Sequence, residues 1–213
     1  MPASRALMRS VDTATIMSRD AVDLPEAATA RVDVLVEGKA GDESVMSTVS
    51  MVRDGPAIIV IDPGMVRDRS QILDRLAALE VDPNQVTDVV LSHHHPDHTL
   101  NAALFPNARV HDHWAIYERD QWISRPADGV LITPSVRLIA TPGHTPQDIT
   151  TLAGTAEGVV AFTHAWWYSA GPKQDPYAEM DLLHASRARV LAVASRIVPG
   201  HGAPFVPGRD TPR

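Results

Sequence analysis

Ser92-His93-His94-His95-Pro96-Asp97-His98 places four imidazoles and one carboxylate within the six residues from 93 to 98. Read as H-x-H-x-D-H, the stretch is a two-sided metal-ligand cluster. Neutral imidazole suits zinc, iron and related ions, and a carboxylate beside a histidine adds the anionic ligand that a second ion needs. Val86, Val89, Val90 and Leu91 form a short apolar run just before it. The cluster therefore falls where a buried strand ends and a loop begins, which is where catalytic ligands usually sit. An affinity tag would be terminal and uninterrupted; this tract is internal and leads into a helix expected near residues 97–103.

Outward from the cluster, the hydrophobic pattern gives an alternation of strands and helices. Residues 31–37 and 44–53 alternate polar and apolar around turn residues 38–43, which predicts a hairpin. Residues 57–61 read as a strand. Ile72, Leu76 and Leu79 share one face of a helix over 68–79 behind an N-capping Asp68, and Asp82-Pro83 ends it. A strand over 86–91, a strand over 108–112 and a helix over 113–120 follow. Strands at 136–140, 149–153 and 159–162, a long helix over 177–194 and a last strand at 197–198 complete the expectation. This is α/β layering. Residues 1–30 show no clear period and read as an N-terminal arm or edge strand, leaving 31–213 as one domain.

The chain has 213 residues, enough for one well-built core and too few for two. Its apolar content of 44% with 21% charged residues is ordinary for a globular protein. No apolar run approaches the roughly 20 residues that span a bilayer. The first 30 residues lack the continuous apolar segment of a secretory signal, so the expected location is the cytoplasm. With no cysteine, disulfides, thiolate nucleophiles and cysteine-bound zinc are excluded, which leaves histidine and carboxylate chemistry. A net charge of −7 and the lack of a basic run disfavour nucleic acid as a substrate. A homodimer is the default assembly for a soluble enzyme.

Three further segments stand in order with the histidine cluster: Ile59-Val60-Ile61-Asp62-Pro63-Gly64, Thr141-Pro142-Gly143-His144-Thr145-Pro146 and Val198-Pro199-Gly200-His201-Gly202. Together they resemble the metallo-β-lactamase fold superfamily over roughly residues 31–207. The stretch from Leu100-Asn101 to Leu104-Phe105-Pro106, the spacing from His144 to Asp148, and the path from Ser186-Arg187 to His201-Gly202 and Pro204-Phe205 are similar to the metallo-β-lactamase domain-containing protein one group. That group includes an animal member implicated in RNA 3′-end processing. The resemblance implies a four-layer αββα sandwich, two mixed sheets with external helices.

It also implies a ligand set: His93, His95 and His144 for one metal, Asp97, His98 and His201 for a second. Three neutral imidazoles leave an open position for water, whose pKa the metal lowers toward neutrality. Asp97 carries a second expected role, orienting or deprotonating that water. His94 and Pro96 are expected to shape the loop. Asp62 either caps its turn or orients a ligand histidine.

One position departs from the family pattern. After the strand Val159 to Phe162, where the family carries an aspartate that bridges both metals, this chain has His164. A neutral imidazole presents one lone pair, so His164 is expected to ligate at most one ion and the site to hold one or two. Zinc is the expected metal, with iron and manganese as the other candidates. His113, Trp166 and Trp167 are candidate pocket residues, with packing in the core as the competing role for the tryptophans.

The leading function is hydrolysis of a small acyl substrate, an ester, lactone or thioester. A phosphodiesterase or ribonuclease is the alternative, and a non-catalytic metal-binding scaffold a third.

Overall fold

The computed structural model describes residues 25–41 and 43–213, so most of the expected N-terminal arm lies outside the described residues. After β1 (Arg31–Val36) the chain makes a small ribbon, β2 (Lys39–Gly41) against β3 (Ser44–Met46), before β4 (Val49–Asp54) returns antiparallel along β1. The expected hairpin is therefore β1 with β4, and the ribbon is an excursion from its turn. Gly38 permits that excursion, because a Cβ there would collide with the Thr48 amide nitrogen.

β5 (Ala57–Ile61), β6 (Asp88–Val90), β7 (Arg109–His111), β8 (Ala115–Glu118) and β9 (Gln121–Ser124) extend this sheet to seven strands in the order β1-β4-β5-β6-β7-β8-β9. Its middle pairs, β5 with β6 and β6 with β7, are parallel, and the outer ones antiparallel. β10 (Leu131–Thr133), β11 (Val136–Ala140), β12 (Ile149–Thr155), β13 (Gly158–Thr163) and β14 (Arg196–Pro199) form a five-stranded sheet, antiparallel except for the parallel β13-β14 pair.

The period of two along each strand sets the layering. In β5, Ile59 and Ile61 face the second sheet and pack with Leu138, Ile149, Phe162 and Val198, whereas Val60 faces outward. On that outer side, Ile72 and Leu76 of α1 (Ser70–Ala78) cover Met51, Val60 and Val89. A short α2 (Pro96–Thr99) follows the histidine loop. Leu183 and Val190 of α3 (Met180–Leu191) cover Ile139, Leu152, Ala161 and Ile197 on the outside of the second sheet. The result is helix, sheet, sheet, helix, with an apolar layer between the sheets and one beneath the helices on either side. Among the described residues no helix is long and apolar enough to cross a membrane.

The structure corrects three helices. Residues 113–120 do not form a helix; they enter the hairpin of β8 and β9. Asp112 Oδ1 accepts the amides of Trp114 and Ala115 at 2.8 Å each, Arg119 turns the chain at φ 57°, and Tyr117 meets Trp122 across the strands with ring centroids 4.7 Å apart. Aromatic and β-branched residues fit that pleated pairing better than a helix. The helix expected over 97–103 is only Pro96–Thr99, followed by one 3-10 turn at Ala102–Leu104. The helix expected over 177–194 spans Met180–Leu191, because Asp175 Oδ1 accepts the Tyr177 amide at 2.9 Å and holds that residue in a turn.

Candidate metal centre

The chemistry-bearing histidines sit in loops at one end of the two sheets. His93 and His95 lie between β6 and α2, with Asp97 and His98 in the first turn of α2. His144 lies between β11 and β12, His164 directly after β13, and His201 just after β14. The donor atoms gather into two triads, His93 with His144 and His164, and His98 with His164 and His201, each within 4.8 Å. His164 is common to both. His95 Nδ1 joins the first group, 2.9 Å from His93 Nε2 and 3.0 Å from His144 Nε2. Asp97 Oδ2 joins the second, 3.5 Å from His98 Nε2 and 3.7 Å from His201 Nε2. His164 Nε2 stands 3.0 Å from His201 Nε2. That ring fits only because residue 200 is glycine, since a Cβ there would lie 2.5 Å from His164 Cδ2.

The backing of each ring decides which nitrogen faces inward. His98 Nδ1–H donates to Asp62 Oδ2 at 2.8 Å, His144 Nδ1–H to Asp175 Oδ2 at 2.8 Å, and His201 Nδ1–H to the Met46 carbonyl at 3.0 Å. In neutral rings each of these leaves Nε2 as a bare lone pair. Asp62 is itself held, its Oδ1 accepting the Ser92 amide at 2.7 Å, so its side chain reaches the histidine loop. His98 Nε2 and His164 Nδ1 are buried with no hydrogen-bond partner. Convergent lone pairs and orphaned buried nitrogens are costly alone and are satisfied by a shared cation, so this donor set fits a divalent metal.

Electrostatics agree. Burial, followed by repulsion among neighbouring imidazoles, pushes His93 and His164 well below the ordinary imidazole pKa. The same causes lower His95 and bring His201 to about 4. These rings are neutral at pH 7, as ligation requires. Burial also acts on His98, but the charge and hydrogen bond of Asp62 outweigh it and the net shift is upward.

A cavity of about 760 Å³ opens over the cluster. His95, Asp97, His144, His164 and His201 form its floor; Trp167, Tyr168 and Tyr177, with Ala40, Gly41 and Val45 of the ribbon, complete the lining. Two expected pocket residues are absent from it. Trp166 is 0% exposed and packs beneath α3, its indole N–H donating to the Pro212 carbonyl at 2.9 Å. His113 packs edge-on against Trp114, outside the cavity. His94 also points away, its Nε2 3.0 Å from Asp112 Oδ2. Asp175, Tyr177 and the ribbon join the site with no motif in the sequence that marks them, and Tyr168 is marked only by its place beside Trp166 and Trp167. An aspartate two residues before Tyr177 and followed by Pro176 was the available signal for a turn.

The profile of the metallo-beta-lactamase superfamily matches residues 43–172. Metallo-beta-lactamase domain-containing protein 1 of Xenopus laevis is 30% identical over 192 residues, covering 82% of this chain and 80% of that protein. The chain belongs to the metallo-beta-lactamase superfamily, whose members are mostly hydrolases. Within it, the similarity is to the metallo-beta-lactamase domain-containing protein 1 group: the human protein of that name is 33% identical over 181 residues, which is 79% of this chain and 65% of the human one. Among solved structures, an N-acyl homoserine lactone hydrolase with N-hexanoyl-L-homoserine at its catalytic metal center superposes with a TM-score of 0.59 at 16% identity, covering 81% of this chain and 92% of that one. That likeness establishes a shared fold.

Proposed function

We propose that the protein is a metal-dependent hydrolase of small neutral acyl substrates, esters, lactones or thioesters, with zinc as its ion. The observation that carries this reading is the cavity lining, which among the described residues contains no lysine or arginine. A phosphodiester brings a fixed negative charge that enzymes usually meet with cationic side chains; a neutral carbonyl needs none. The net charge of −7 also opposes approach of a polyanion. Val45, Tyr168 and Tyr177 are exposed at the cavity and offer apolar surface to an acyl group. The lactone hydrolase of the same fold supports the same substrate class.

His93, His95 and His144 would hold one ion, and Asp97, His98 and His201 a second, with His164 between them. A divalent ion supplies an activated water at neutral pH and polarises the carbonyl. Asp97 lines the cavity and would accept the proton of the attacking water and pass it to the leaving oxygen, or to the leaving sulfur of a thioester. His98 and His201 are fixed for this by Asp62 and the Met46 carbonyl.

The test is turnover by metal-stripped and zinc-reconstituted protein on a panel of esters, lactones and thioesters, with an RNA oligonucleotide in parallel. Zinc-dependent acyl hydrolysis is expected. RNA cleavage faster than turnover of every acyl substrate would replace this reading with the ribonuclease one, and no turnover by protein that binds zinc would leave a scaffold.

A further inference from the structure

Asp175 is buried, and its Oδ2 accepts two hydrogen bonds: from His144 Nδ1–H at 2.8 Å and from the Trp167 indole N–H at 2.9 Å. One oxygen thus faces a ring of the histidine cluster and a side chain of the substrate cavity. Its other oxygen holds the Tyr177 amide, and the Tyr177 ring lies parallel to Trp167, 13° apart in plane with centroids at 6.2 Å. The loop that carries Trp167 is pinned from behind. Arg187, 0% exposed, donates from Nε to the Ala165 carbonyl and from Nη2 to the Pro172 carbonyl, each at 2.8 Å, and from Nη1 to the Lys173 carbonyl at 3.3 Å. With the backbone fixed, the adjustable element is the pair of hydrogen bonds on Asp175 Oδ2.

We propose that Asp175 is a positioning residue that couples metal occupancy at His144 to the aromatic wall formed by Trp167 and Tyr177. The proposal rests on His144 being a metal ligand, as in the functional reading above. Electron withdrawal at His144 Nε2 makes its Nδ1–H a stronger donor, and the charge it draws from Asp175 Oδ2 is no longer offered to the indole. The second hydrogen bond weakens and Trp167 responds to the ion through the shared acceptor. By linkage, a contact that repositions Trp167 alters metal affinity in return.

The experiment is a zinc titration of metal-free protein labelled with 15N at tryptophan, following the indole N–H resonances, with Trp167→Phe identifying that of Trp167. The Trp167 resonance is expected to move in step with zinc occupancy while those of Trp114 and Trp122 stay. In Asp175→Asn the zinc dissociation constant should rise about 10–100-fold and the zinc-induced movement of Trp167 should vanish. A stationary Trp167 resonance in the unmodified protein at full zinc occupancy overturns the proposal without any variant. So does an Asp175→Asn protein that keeps the movement or binds zinc as the unmodified protein does. A chain that takes up no zinc at all defeats the functional reading itself and the coupling with it, a result separable from the others.

Discussion

The two sheets furnish the histidine cluster in contrasting ways. The first-sheet half is a single short piece of chain, His93 to His98, backed from the end of β5 by Asp62. The second-sheet half is gathered from three separated loops at residues 144, 164 and 201, backed by Asp175 and by the Met46 carbonyl. Contiguous ligands are placed by local backbone geometry, and dispersed ones only by the packing of β11, β13, β14 and α3. A Cβ on Gly143 would lie 2.8 Å from Leu183 Cα, so the loop carrying His144 sits directly against that helix. Ser186 holds the same loop, its hydroxyl donating to the Pro142 carbonyl at 2.6 Å. The first half should therefore tolerate disturbance of the second sheet's helix, and the second half should not.

Asp97→Asn removes the proposed proton acceptor of the first half while keeping the side chain's size. We expect kcat on the best acyl substrate to fall about 10²–10⁴-fold, with the zinc-loaded fold intact by circular dichroism. Asp62→Asn should be milder. Asparagine accommodates the positive φ of 49° at this position, so the change tests the His98 hydrogen bond and not the backbone. Zinc affinity measured by competition with a chelator should drop about 10–100-fold.

His164→Asp sharpens the comparison from the second half. A carboxylate offers two oxygens to two ions, and removal of the ring relieves the tight approach to Gly200. Elemental analysis should show metal content rising toward two ions per chain. Tight binding of two ions by the unmodified protein, with no gain in the variant, would show that the histidine costs the second site nothing.

The smallest effect is on the stability of metal-free protein. His93, His95, His113, His164 and His201 have folded-state pKa values below the ordinary 6.5, so the unfolded chain binds more protons in acid. Their stabilising contribution is present above about pH 6.5 and is lost as pH falls below it. His98, raised by Asp62, and Asp148, raised by burial to about 6, work in the opposite direction. With five lowered groups against two, the thermal midpoint of the metal-free protein should decline from about pH 7 to about pH 5, and zinc should steepen the decline. A midpoint that rises over this range would contradict the neutral-ring assignment.

What could be read from the sequence follows the same division. β5, β11 and β13 announced themselves through apolar side chains of period two or through unbroken apolar runs, and His93 to His98 stood out because the cluster is local. β8 falls within the helix expected over 113–120 and β9 lies beyond it without an expectation; the turn made by Asp112 and the cross-strand Tyr117–Trp122 contact are not visible in a linear pattern. The adjacent Trp166 and Trp167 have opposite environments, decided by Pro212 and Arg187 on one side and Asp175 on the other. Asp175 was missed for the same reason: its partner lies 31 residues away, on another loop.

Whether the two halves meet at one ion is measured directly by zinc binding of His144→Ala beside His95→Ala, each paired with acyl hydrolysis. If both loops hold the same ion, the two variants lose high-affinity zinc and turnover together. Wild-type zinc affinity in His144→Ala, alongside its loss in His95→Ala, would show that the second sheet does not contribute to the site.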